Sequence, residues 1–166
     1  MKRLTLFRHA KSSWGNPELP DNERPLTSRG ERDAPAMAAR LGARGDRPDA
    51  ILTSHAVRAA ASARAIAATL RCPDGTLRID RRLYLASEER LLEVVRAQDD
   101  GVAHLVVVGH NPGLTEAANR LVPALGVDNV PTAGIVAIAA DTDRWSTLTP
   151  AVCRLLYYDY PKSAGK

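Results

Sequence analysis

Cysteine is scarce in this chain: there are two, Cys72 and Cys153, far apart and outside any CxxC pair. That spacing argues against a disulfide framework or a zinc site, so both are expected as ordinary reduced thiols. Aromatic residues number seven in all, and no Lys/Arg block interleaves with them. The footprint of a nucleic-acid-binding protein is therefore missing, despite a net charge of +4. No apolar run approaches the ~18 residues of a membrane span. Met1-Lys2-Arg3 is followed by only a short apolar stretch before Arg8, so no secretory leader and a cytoplasmic location are expected. The four histidines show no HExxH or other ligand spacing, and no metal site is expected. GxxxxGK[ST] and GxGxxG are both absent, and no acidic pair accompanies a phosphate loop, which removes nucleotide-binding loops and a magnesium mechanism. No cofactor is implied.

What is present fits one folded unit. With 166 residues, a chain buries roughly two thirds of its unfolded surface and needs no metal or disulfide to fold. Residues 1–160 are expected as one domain, with 161–166 as a flexible C-terminal tail. Residues 2–7 (KRLTLF), 49–53 (DAILT), 77–79 and 104–108 (HLVVV) read as strands. The last is a continuous β-branched run of the kind buried on both faces. Segments 134–140, 145–148 and 152–158 read as late strands. Helices are expected from Thr27 or Ser28 to about residue 42, from Ser54 as cap to residue 70, from Ser87 as cap over 88–96, and over 114–121. Pro35 falls inside the first of these and predicts a kink or a shifted start. Residues 11–25 hold Gly15, Pro17, Pro20 and Pro25 and read as a long loop, the kind that carries function. Strand–helix alternation through the first 120 residues predicts an α/β fold, with a mainly parallel sheet between two helical layers.

In such sheets ligands bind beyond the carboxyl ends of the strands. The first strand ends in Arg8-His9. The second ends in Ser54-His55, with Arg58 one turn on. The strongest ends in Gly109-His110-Asn111-Pro112-Gly113. Two arginines in one pocket select an anion, since their planar forks match phosphate or carboxylate oxygens. The helix after Pro112 is expected to add free N–H groups and a positive dipole end. A histidine in that setting can attack phosphorus and hold the phosphoryl group covalently. Each residue alone has a plainer reading: Arg8 as a surface arginine, His9 as a loop histidine, His110 as turn chemistry, Arg58 as a solvated helix residue. His55 and His104 are assigned to structure. The convergence at neighbouring strand ends is what points to a site.

RHA at 8–10, SHAVRAAASA at 54–63 and VVVGHNPG at 106–113 resemble the histidine phosphatase superfamily, whose fold is shared with cofactor-dependent phosphoglycerate mutases. With LTLFRHAKSSW and RPLTSRG, the chain is most similar to the small SixA-type phosphohistidine phosphatases, over roughly residues 3–158. The resemblance implies a three-layer α/β/α sandwich and a metal-independent phosphatase. It implies His9 as the nucleophile that becomes phosphohistidine, Arg8 and Arg58 as phosphate-holding arginines, and His110 as the second pocket histidine. Lys11, Ser12 and Asn111 are expected to contact substrate. The implied partner is a phosphohistidine-bearing protein or a small phosphorylated metabolite, with phosphate or sulfate able to occupy the site. The chain departs from many relatives where they carry a glutamate general acid: Leu83-Tyr84-Leu85 stands there, and Glu88 is the nearby candidate. A pocket without an acid suits a phosphoramidate, whose imidazole leaves more readily than an alkoxide. Two alternatives stay open: a phosphomonoesterase or pyrophosphatase served by an acid from Glu88 or the 11–25 loop, and a phosphate-binding regulatory module without turnover.

Overall fold

In the computed structural model, which describes residues 1–45 and 47–163, six strands form one sheet in the order β3-β2-β4-β1-β5-β6. The strands are β1 (Lys2–Arg8), β2 (Ala50–Thr53), β3 (Leu77–Ile79), β4 (His104–Gly109), β5 (Ile135–Ala140) and β6 (Cys153–Asp159). β1 to β4 run parallel, while β5 and β6 pair antiparallel at one edge. The mainly parallel sheet is thus as expected.

The apolar pattern explains the layers. In β1, Leu4 and Leu6 point to one face and Phe7 to the other; in β4, Leu105 and Val107 oppose Val106 and Val108. Alternate residues of a strand face opposite sides, so a strand buried throughout needs a helix layer on each side. α1 (Ser28–Ala43) and α2 (Val57–Thr69) pack over Phe7, Ile51 and Val106 through Met37, Leu41 and Ile66. α3 (Glu88–Arg96) and α4 (Gly113–Leu121) cover Leu4, Leu6 and Val107 through Leu92, Val95 and Leu114. No helix among the described residues is long and apolar enough to cross a membrane.

Capping follows the sequence in two of three cases. Thr27 accepts from the Gly30 amide and Ser87 from that of Arg90, each satisfying a donor that the helix cannot. α1 continues through Pro35. Ser54 does not cap α2, which begins two residues later than a Ser54 cap requires, after Ala56 and with no side-chain cap. The serine serves the site instead.

Two further expectations need correction. Residues 145–148 are not a strand. Trp145–Thr147 is a 3-10 turn that buries the indole completely, with its N–H donating to the Val102 carbonyl (2.9 Å) and the Trp145 amide to Asp100 Oδ1 (2.9 Å). Burying a large aromatic whose N–H finds a partner outweighs one more short strand. Nor is the whole of 161–166 a loose tail. Pro161–Ser163 forms a turn against α1, where Arg40 donates to the carbonyls of Tyr160 and Pro161 and pairs with Asp159 (all 3.0 Å). Residues 164–166 lie outside the described residues.

Candidate active site

β1 and β4 lie side by side with Arg8 in register with Gly109, so their carboxyl ends deliver His9 and His110 together. The two rings sit 5.2 Å apart, centre to centre. They form part of a pocket of about 310 Å³ with Arg8, Arg58, Asp21 and Arg24. Lys11, Ser12, Trp14, Leu85, Asn111 and Thr132 complete its wall. Two glycines allow the wall to close in. A Cβ on Gly30 would stand 2.2 Å from the Lys11 carbonyl oxygen, and one on Gly113 would stand 1.9 Å from that of Ala86. Without side chains there, α1 and α4 sit directly on the loops that bear Lys11 and Leu85.

The ring of His9 is oriented by its own neighbour. Nδ1 lies 2.8 Å from the Ala10 carbonyl oxygen, which can only accept, so Nδ1 carries the proton. Nε2 is left with its lone pair and no partner among the described residues. Burial, reinforced by the charges of Arg58, Arg8 and Arg24, lowers its pKa from 6.5 to about 4. His9 is therefore neutral at pH 7. Burial also brings His110 down to about 3, with His9 and Arg58 adding to the effect. Arg58 donates towards His110 Nδ1 (3.4 Å), which assigns the proton to Nε2 and makes it the donor to Ser54 Oγ (2.7 Å).

The arginines are spent only in part. Arg8 donates through Nη1 to the Val130 carbonyl (2.8 Å), and Arg58 to the Asp21 carbonyl (2.7 Å) and Oδ2 (3.0 Å). Nε of both is buried without a partner. Orphaned guanidinium N–H groups are expensive to bury, and two in one pocket mark a place for an anion.

The 11–25 loop contributes more than the sequence suggested. Its Asp21–Glu23 turn brings Asp21 against three donors: Arg58, Arg24 (Nη2, 3.0 Å) and the Tyr84 hydroxyl. Burial pushes the Asp21 carboxyl up, but those bonds outweigh it and hold the pKa at about 2. Arg24 also donates to Ser12 Oγ (2.9 Å) and stacks 3.6 Å from the centre of the Trp14 ring. Asp21, Arg24, Tyr84 and Ser54 were missed by sequence reasoning. The available signals were RPLTSRG, with Arg24 as its first residue, and a rare tyrosine in place of the relatives' acid.

Among the predicted residues, His9, His110, Arg8 and Arg58 are brought together. Lys11 lines the pocket and is exposed; Ser12 lines it with its hydroxyl engaged by Arg24. Asn111 lines it too, but its amide is fully used. It donates to Asn129 Oδ1 and the Val130 carbonyl and accepts from the Thr115 amide and hydroxyl. That leaves the side chain nothing for a substrate. Glu88 faces away and pairs with Arg120 (3.4 Å). The expected free amides of α4 are also largely taken, Leu114 N–H by the His110 carbonyl and Thr115 N–H by Asn111. His55 packs its ring 5.0 Å from Tyr84.

A model of the histidine phosphatase superfamily (branch 1) matches residues 4–84, which include Arg8, His9 and Arg58. An uncharacterised protein of Mycobacterium tuberculosis is 32% identical over 165 residues, covering 94% of this chain and all of the relative. The chain belongs to the histidine phosphatase superfamily. Among solved structures, a candidate phosphohistidine phosphatase SixA from Agrobacterium tumefaciens superposes with a TM-score of 0.81 at 27% identity, covering 96% of this chain and 98% of the other. The protein histidine phosphatase SixA in complex with tungstate has the same fold (TM-score 0.82, 19% identity, 97% and 98% covered). Family and fold mark this histidine phosphatase as an enzyme that hydrolyses phosphoryl groups.

Proposed function

We propose that the enzyme removes the phosphoryl group from phosphohistidine on a protein, without metal, through a phosphohistidine intermediate at His9. The lone pair of His9 Nε2 attacks phosphorus as the bond to the substrate imidazole breaks, and that imidazole leaves neutral once its ring is protonated. Arg8 and Arg58 hold the transferring oxygens through their open N–H groups, with Arg24 beside them. Water then attacks phosphorus, the bond to Nε2 breaks, and phosphate departs, leaving His9 neutral as at the start. The tungstate in the SixA structure is consistent with an oxyanion in this kind of pocket.

One observation carries the choice of substrate. Asp21 is the carboxyl group lining the pocket, and its oxygens accept from Arg58, Arg24 and the Tyr84 hydroxyl, which favours the ionised form over that of a proton donor. Alkoxides need that proton; imidazole does not need it from the enzyme. A second reading, a phosphomonoesterase acting on a small metabolite, draws on the same residue: a carboxylate on the 11–25 loop is where an ester-cleaving acid would stand.

The test is phosphate release, without metal, from a phosphohistidine-bearing domain, a phosphoserine peptide and a sugar phosphate, by wild type and His9→Ala. Fast release from phosphohistidine alone, lost in the variant, is expected. Comparable release from the esters overturns this reading in favour of the second. Tight phosphate binding with no release from anything points to a non-catalytic module.

A further inference from the structure

The pocket has two zones of different chemistry. Its floor is buried and polar: His9, Arg58 and His110 are 7%, 2% and 2% exposed. Its rim carries two of the most exposed large apolar side chains among the described residues, Trp14 (73%) and Leu85 (54%). Arg24 stacks on one face of Trp14, and at that exposure the other face is open. Leu85 has φ of +48°, in the left-handed region that a leucine adopts only under constraint. A strained backbone that holds an apolar side chain out at a pocket mouth is an observation that asks for a function.

In-line displacement connects the zones. The leaving group departs opposite the attacking Nε2 of His9. With His9 on the floor, that direction is the mouth, and the departing group passes Trp14 and Leu85. Of the polar side chains nearby, the Asn111 amide is saturated and the Ser12 hydroxyl is engaged by Arg24, which leaves Lys11 and Thr132 for a polyol.

We propose that the open face of Trp14 and the side chain of Leu85 form the leaving-group subsite, which takes a flat ring, such as the imidazole of phosphohistidine, in preference to a polyol. The inference rests on the preceding reading for its physiological ring, but on the rim alone for its preference. Trp14 and Leu85 are specificity-determining residues, and the phosphoryl group itself does not depend on them.

The experiment measures kcat/KM for free phosphohistidine, p-nitrophenyl phosphate and glycerol phosphate, with the inhibition constant of inorganic phosphate as the probe of the floor. Trp14→Ala is expected to lower kcat/KM about 3- to 20-fold on both ring substrates, the range of one lost stacking contact. The inhibition constant of phosphate and the turnover of glycerol phosphate should stay within about 2-fold, and Trp14→Phe should restore most of the loss. Leu85→Gly, which suits the backbone and removes the side chain, is expected to show a smaller loss of the same pattern. Equal losses on glycerol phosphate, or an equally weakened phosphate inhibition, overturn the proposal, because Trp14 then acts through Arg24. No loss overturns it too. If the wild type hydrolyses only esters, the phosphohistidine reading falls, and the change that Trp14→Ala makes in the ratio of p-nitrophenyl to glycerol phosphate turnover still decides the subsite: a fall in the ratio supports it and an unchanged ratio overturns it.

Discussion

β4 carries a histidine at each end of its run, and the two ends of the sheet can be compared directly. His110 follows the carboxyl end, in the pocket of about 310 Å³. His104 opens the amino end and lines a pocket of about 320 Å³ with Lys2, Arg3, Arg47 and Arg154. Both pockets are basic, both histidines are buried, and burial lowers both pKa values, to about 3 and about 4. Size, charge and perturbed titration therefore do not separate a reactive site from a structural one here. Bonding does. Both ring nitrogens of His104 are spent, on Thr5 Oγ1 (2.8 Å) and the Arg47 carbonyl (3.2 Å). His9, beside His110, spends one nitrogen and keeps the other open, among guanidinium groups with orphaned N–H bonds.

The sharpest way to break that comparison is to exchange the outcomes. His9→Ala is expected to lower phosphate release by at least about 10³-fold, since the covalent route is lost, while leaving the melting temperature near that of the wild type. His104→Asn is expected to do the reverse: it leaves a buried donor or acceptor unsatisfied, costing about 1–3 kcal/mol of stability, with kcat/KM within about 3-fold in the folded protein. Paired steady-state kinetics and thermal melts decide it. An inactive but stably folded His104→Asn would mean that the amino end also belongs to the site.

A smaller effect is expected at Asp21. Asp21→Asn keeps the shape, the bonds from Arg24 to Oδ1 and that from Arg58 to the main-chain carbonyl, but removes the charge and the acceptor that faces Arg58 Nη2. If the carboxylate only holds those arginines, kcat/KM on phosphohistidine changes less than about 10-fold and the shape of the pH profile is kept. Loss of a general acid costs about 10² to 10⁴, and a loss of that size would transfer the proton-donor role to Asp21.

Which parts of this arrangement could be read from residues alone follows from how local their causes are. β4 announces itself in HLVVV, and α3 in Ser87 followed by Leu91, Leu92, Val94 and Val95, because burial and capping act within one element. His9, Arg8, Arg58 and His110 were legible because strand ends converge in a parallel sheet and because their motifs resemble a known family. Asp21 and Arg24 were not, because their place depends on a loop folding back over α2. No spacing rule predicts that Tyr84, 63 residues from Asp21, meets it through a hydroxyl. The same reason separates Ser54 from its expected cap: His110 competes for its oxygen, and that partner lies 56 residues away.

The last effect is on stability against pH, where each single histidine contributes a modest share. His9, His104 and His110 all have folded pKa values near 3–4, against 6.5 for an ordinary histidine. Between those values the unfolded chain binds more protons than the folded one, so stability falls as pH drops from about 6.5 towards 4 and is flat above 6.5 as far as these groups are concerned. Each histidine contributes up to about 1.4 kcal/mol per pH unit within that window, about 4 for the three together. Asp21, depressed from 3.8 to about 2, has the same sign and extends the loss below pH 4. Urea midpoints from pH 7.5 to 4.5 measure the slope. His104→Asn should remove about a third of it, and His9→Ala a similar share, because linkage counts protons and takes no account of whether a nitrogen is spent or open. At the carboxyl end, saturating phosphate should shrink the His9 and His110 share by favouring their protonated forms in the folded state. The His104 share should not respond, which separates the two ends of the sheet in one titration without recourse to turnover.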